Sequence, residues 1–233
     1  MFTSLEFGRL RKYSRQHSLE CGERESHAQA FADAIPAATE ISWNYVIPDG
    51  TVVAAHIADV PPPPPFDFIA NIWHTNAIFS QSSRVGAAQL YQTERFSTPT
   101  AELGRGVDDP DDAPIKQFCL IRRREGLSFQ EFIEYYETRH APLAAKYLDS
   151  IASYSRNYIV LDESRPANID AVTEICFRNM DDHRAFQDAF NEPRLGALFA
   201  QDEGRLLDRR NIVMFLASEH RVQPHRIPMP VKG

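Results

Sequence analysis

Cysteine is scarce in this chain, and what there is builds no scaffold. Cys21, Cys119 and Cys176 are the whole complement, far apart and without a CxxC pair. An odd, scattered set argues against a disulfide framework and for a reducing compartment. No cysteine–histidine set has zinc-like spacing, so no metal is expected. The opening segment, MFTSLEFGRLRKYSRQ, lacks the apolar stretch of a signal peptide. No run approaches the roughly 18 apolar residues of a membrane span. The expectation is therefore a cytoplasmic protein with no membrane partner. Charge of one sign is missing too: 25 basic and 32 acidic residues give a net charge of -7, with the basic ones scattered. That balance gives no electrostatic reason to expect nucleic acid. GxGxxG, GxxxxGK[ST], GxSxG and HExxH are all absent, which removes the usual handles for nucleotide, flavin, serine-hydrolase and zinc chemistry. No cofactor is expected.

What the 233 residues do contain is an ordinary globular composition, 43% hydrophobic and 11% aromatic, ample for a packed core. Two loops punctuate them. VPPPPPFDF (60–68) reads as a stiff connector, since no basic residue flanks it as a proline-motif ligand requires. GRGVDDPDDAPIK (104–116) is acidic and turn-rich, and 104–114 reads as a linker between halves. Beyond it, IKQFCLIRR has β-type composition. LSFQEFIEYYETRHAPLAAKYL then opens with Ser128 and Glu131 in a capping box. Phe129, Phe132, Ile133, Tyr136, His140 and Leu143 recur at helical spacing and predict one shared face. IASYSRNYIVLD and AVTEICFR predict two strands. MDDHRAFQDAFNEPRLGALFAQDEGRLL predicts one helical stretch capped by Asp181 or Asp182, and NIVMFLASE predicts a last strand. The order β-α-β-β-α-β is the ferredoxin-like arrangement, whose second sheet face must be covered by something.

The first half reads as a degenerate echo of the second. EISWNYVIPDG matches ASYSRNYIVLD through the Asn-Tyr pairs at 44–45 and 157–158. FDFIANIWHTNAIF laid on IDAVTEICFRNMDD sets Asn71 opposite Glu174. A polar helical stretch at 11–35 precedes the first pair, and little before residue 10 looks strand-like. The expected class is α+β: tandem ferredoxin-like (β-α-β-β-α-β) repeats forming an α+β barrel, within one chain or as a homodimer. The expected divisions are 1–103, the linker 104–114, 115–219 and a tail at 220–233.

The C-terminal pieces carry a resemblance. REGLSFQEF, then HAPL at the helix end, then DEGRLLD late in the chain resemble the EthD-domain family of dimeric α+β barrel proteins, over about residues 115–219. The resemblance implies a ferredoxin-like fold paired into a barrel with an internal cavity. It also implies small-molecule chemistry without a cofactor: fungal relatives act beside polyketide synthases as decarboxylases, dehydratases or cyclases. Other barrels of the superfamily are cofactorless oxygenases of quinols, lactone isomerases or haem-degrading enzymes. The first half lacks HAPL.

His140 is the first candidate for chemistry, because imidazole is the natural general acid–base near neutral pH. Spacing alone favours a core histidine at a helix end. The resemblance reverses that order, because the family's histidine stands at this position. Glu174 alternates with Val172 and Cys176, and a carboxylate among apolar groups is costly unless partnered. It is expected to orient His140 or to take a proton, or else to lie at a solvated barrel mouth. Tyr136 could donate to a developing oxyanion. Tyr154, Tyr158, Trp73, His74 and Phe132 are candidates to bind the substrate, and each also suits an ordinary core. Asp202 and Glu203 are expected to cap or to pair with arginines such as Arg205. The implied function is proton-transfer-assisted decarboxylation, dehydration or cyclisation of an aromatic or polyketide-derived molecule. The alternatives are a cofactorless oxygenase of a quinol-like or anthrone-like substrate, and a non-catalytic binding barrel.

Overall fold

Every strand among the described residues finds a partner on both edges. A computed structural model describes residues 2–8, 29, 38–51, 68–74, 89–99, 115–147, 149–159 and 169–222. The proline tract, the acidic linker and the tail beyond 222 lie outside the described residues, as does the 11–35 stretch apart from Gln29, which is helical. Strands β1 (Phe2–Gly8), β2 (Ala38–Thr51), β3 (Phe68–His74) and β4 (Gln89–Pro99) come from the first half. β5 (Ile115–Ile121), β6 (Ser153–Ile159), β7 (Ala171–Phe177) and β8 (Val213–Val222) come from the second. They close into a barrel in the order β1-β3-β2-β8-β5-β7-β6-β4, with every neighbouring pair antiparallel.

Each half contributes the ferredoxin-like order, β4-β1-β3-β2 and β8-β5-β7-β6, so the tandem-repeat barrel is the fold. The weak first strand is a correction. β1 pairs with β3 over all of Phe2–Gly8 and with β4 over Thr3–Phe7. Ladders on both edges, more than local propensity, make that short run a strand. The repeat alignment holds in register: Asn44 faces Ile69 as Asn157 faces Val172. Both asparagines donate Nδ2–H to the carbonyl across the ladder, each at 3.1 Å.

Strand alternation splits the second half's side chains into two layers. Phe118, Leu120, Ile159, Val172, Phe215 and Ala217 join Ile69 inside the barrel. Cys119, Ile121, Tyr154, Tyr158, Ile175 and Leu216 face outward, under the helices. There α1 (Phe129–Tyr135) starts at the Ser128–Glu131 capping box and runs through a five-residue π turn, Tyr136–His140, into α2 (Ala141–Tyr147). The turn holds one residue more than an α-turn, so the buried face beyond it is Ala141 and Ala144, with Leu143 only partly buried. Constant helical spacing had placed Leu143 on that face.

The expected long helix is two. Pro193 disfavours helical backbone at Glu192, which is extended, and occupies the first turn of the next helix. The result is α3 (Met180–Asn191) followed by α4 (Pro193–Leu206). The cap of α3 is Asn179, whose Oδ1 accepts from the Asp181 and Asp182 N–H groups, rather than either aspartate. α4 packs back on the π turn.

Candidate active site

His140 closes the π turn and is buried beneath α4. Its Nδ1 lies 2.6 Å from Oδ2 of Asp202 on α4. A carboxylate only accepts, so Nδ1 is the donor of this contact, and in the neutral ring Nε2 holds the lone pair. Nε2 hydrogen-bonds to none of the described residues, and 9% of the side chain remains exposed. The edge of Tyr136 packs on the imidazole at a centroid distance of 4.7 Å, and Phe199 adds a second edge at 6.2 Å. The Tyr135 hydroxyl donates to the other oxygen of Asp202 at 3.0 Å. Burial works to raise the Asp202 pKa, but the His140 hydrogen bond and charge, with Tyr135 and Arg205, hold it below the usual carboxylate value. The pair can therefore keep a basic ring nitrogen and balance the imidazolium formed when that nitrogen takes a proton.

Tyr136, Tyr154, Tyr158 and Phe132 come together, as an aromatic wall beneath α1. The three tyrosine hydroxyls are occupied. Tyr136 meets Thr173 Oγ1 at 2.9 Å, Tyr154 donates to Tyr136 at 3.1 Å, and Tyr158 donates to Glu137 at 2.5 Å. Glu137 also takes a two-pronged ion pair from Arg156, which lies over the Tyr154 ring. Burial pushes all three phenol pKa values up, so these groups are neutral donors rather than bases. Burial likewise pushes the Cys119 thiol up to about 12, which leaves it protonated and unreactive.

Glu174 does not join His140. Its neighbour Thr173 points out to Tyr136, and alternation turns Glu174 into the barrel. There it accepts from Asn157 at 2.7 Å and faces Lys116 Nζ at 3.4 Å. The expectation that it orients His140 is corrected; Asp202, expected only to cap or to pair with arginine, holds that place. Trp73 and His74 lie on β3, on the opposite side of the barrel from β7, and belong to the other half. The sequence reading missed the parts played by Tyr135, Glu137 and Arg156. The one signal for Asp202 was its presence in the late DEGRLLD piece. Among the described residues, no group of three or more His, Cys, Asp or Glu is placed to hold a metal ion, and no helix is long and apolar enough to cross a membrane.

Residues 124–210, which carry His140 and Asp202, match the family model of the EthD domain. That stretch is similar to the EthD domain. A search of the curated proteins found no match. Among solved structures, the chain is similar to an anthrone oxidase-like protein, with a TM-score of 0.60 at 10% identity over 96% of this chain and 93% of that one. It is also similar to a "Putative monooxygenase" from Fusobacterium nucleatum subsp. nucleatum, with a TM-score of 0.50 at 8% identity over 95% and 92%. At such identities the likeness is one of fold. It extends beyond the residues that match the EthD model.

Proposed function

We propose that this chain is an enzyme that moves a proton on a small aromatic or polyketide-derived molecule, with His140 as general base and acid. The observation that carries the reading is the 2.6 Å contact between His140 Nδ1 and Asp202, which leaves Nε2 as the basic nitrogen. Nε2 takes a proton from an acidic C–H or O–H of the substrate, leaving an enolate or phenolate. Asp202 stabilises the imidazolium. The same proton then returns to carbon after loss of carbon dioxide, to a departing hydroxyl in a dehydration, or to an oxygen formed in a ring closure. The apolar wall keeps water from that proton.

Anthrone, a flat tricycle with an acidic CH2, is a direct probe. Under nitrogen in D2O, the protein is expected to speed exchange at that carbon. His140→Ala and Asp202→Asn should each lower the rate by about a hundredfold or more, the usual scale of general acid–base catalysis. Exchange kept within about threefold in His140→Ala, under 1 kcal/mol of barrel-bound catalysis, removes the role.

A second reading, cofactorless oxygenation of the same carbanion, draws support from the names of the two similar structures, both of which speak of oxidation. Oxygen uptake discriminates. A decarboxylase, dehydratase or cyclase turns over equally in air and under nitrogen, whereas an oxygenase consumes one dioxygen per product.

A further inference from the structure

The carboxylate behind His140 is held at both oxygens, and the second holder is Tyr135. Its hydroxyl reaches Oδ1 of Asp202 at 3.0 Å while His140 takes Oδ2 at 2.6 Å. The two side chains stand five residues apart. In an α-helix of 3.6 residues per turn, that spacing separates them by about 140° around the axis, too far to share one acceptor. The π turn removes the conflict. Within it the Ala141 N–H bonds to the Tyr136 carbonyl, five residues back. One extra residue per turn gives Tyr135 and His140 the neighbour relation that residues four apart have in an α-helix. Thr138 supports the widened turn by donating its hydroxyl to the Glu134 carbonyl at 2.6 Å.

We propose that Tyr135 is a positioning residue for His140, and that the π turn serves to bring both side chains to the Asp202 carboxylate. The proposal rests on the reading of His140 as the base. With Oδ1 fixed by the phenol, the carboxylate cannot rotate, and Oδ2 stays in line with Nδ1. The phenol also draws charge from the carboxylate and keeps it ionised. The other titratable or charged groups facing the pair are Tyr136 on the turn and Arg205 on α4, and Arg205 acts on both Asp202 and Tyr135.

Tyr135→Phe keeps the ring and deletes the hydroxyl. In the substrate-free full chain, the His140 ring nitrogens are titrated by NMR. The midpoint of the pair is expected to move to higher pH, because the carboxylate regains proton affinity, and the far-downfield Nδ1–H signal should broaden. For anthrone exchange, kcat is expected to fall roughly ten- to a hundredfold with KM little changed, as a small misplacement of a base does. The acid limb of kcat/KM should follow the NMR midpoint upward. Replacing Tyr135 by 3,5-difluorotyrosine, a stronger donor that preserves the fold, should move the midpoint the other way. Identical midpoints and Nδ1–H signals in all three proteins overturn the proposal. If the midpoints shift but His140→Ala keeps full exchange activity, the positioning stands and the base role fails.

Discussion

Lys116 shows what a buried charge demands of its neighbours. Its ammonium sits inside the barrel, 3% exposed, with Glu219 at 2.8 Å and Glu174 at 3.4 Å. Ser42 donates to Glu219 as well, at 2.5 Å. The sequence made the cost of Glu174 legible, since a carboxylate between Val172 and Cys176 needs a partner. It could not name the partner, because Lys116, Asn157 and Glu219 are brought to Glu174 by ladder register rather than by local spacing. His140 was legible for the opposite reason, as part of a contiguous helical pattern and family motif. Asp202 was not, being 62 residues away on a helix whose start Pro193 decides. The interior network predicts acid sensitivity. Burial alone would raise the Glu219 pKa, but Lys116, Arg221 and Ser42 bring it down to about 2 from 4.5. A depressed carboxylate stabilises the fold above its unfolded pKa and loses that contribution as pH falls through the folded value. Thermal melting followed by circular dichroism should therefore show this contribution intact at pH 5 and above and lost progressively between pH 4.5 and 2. Glu219→Gln should flatten that part of the curve while lowering the plateau. An unchanged acid limb in the variant would assign the acid loss to other groups.

Among the elements, α1 was the most legible and its continuation the least. The capping box fixes the start through short-range bonds that a sequence displays. The π turn has no such signature: one added residue changes no residue type, only which of them face the sheet beyond it. The break between α3 and α4 was written in Glu192-Pro193 yet outweighed by the helical pattern on either side. Along α4, two glycines separate packing from propensity. A Cβ at Gly196 would stand 2.5 Å from the Phe190 carbonyl oxygen, a backbone atom that cannot swing aside, whereas one at Gly204 would meet nothing within 4 Å. Gly196→Ala should cost about 1–3 kcal/mol through forced separation of α3 and α4. Gly204→Ala, in the same helix, should stabilise by about 0.5–1 kcal/mol by removing backbone freedom from the unfolded chain. Urea denaturation of the two variants checks the opposite signs. Equal effects would mean that the helix pair yields freely at Gly196.

At the scale of the whole molecule, the two halves stand to one another as two copies of one half would. The seams β2·β8 and β4·β6 each join the second strand of one repeat to the fourth of the other. Asn44 and Asn157 repeat the same cross-ladder bond, so the asparagine of the repeated Asn-Tyr pair plays one structural part in both halves. Divergence shows at the matching strand position, Asn71 in the first half against Glu174 in the second. Closure within one chain leaves none of the eight described strands with a bare edge, and that was legible only as a need: one face of each sheet had to be covered. Cutting the chain restores the need. A fragment of residues 115–222 would expose β6 and β8, the strands that β4 and β2 pair in the full chain. Bare edges of this length recruit other strands. Because β2 corresponds to β6 and β4 to β8, two fragments can rebuild both seams at once, β6 to β8 of the second copy and the reverse, through one self-complementary interface. The fragment is expected to run as a dimer in light scattering and to unfold at a midpoint that rises with concentration. A folded monomer would show that the half-barrel needs no cover, and a fragment unfolded at every concentration would show that the first half supplies more than its two seams.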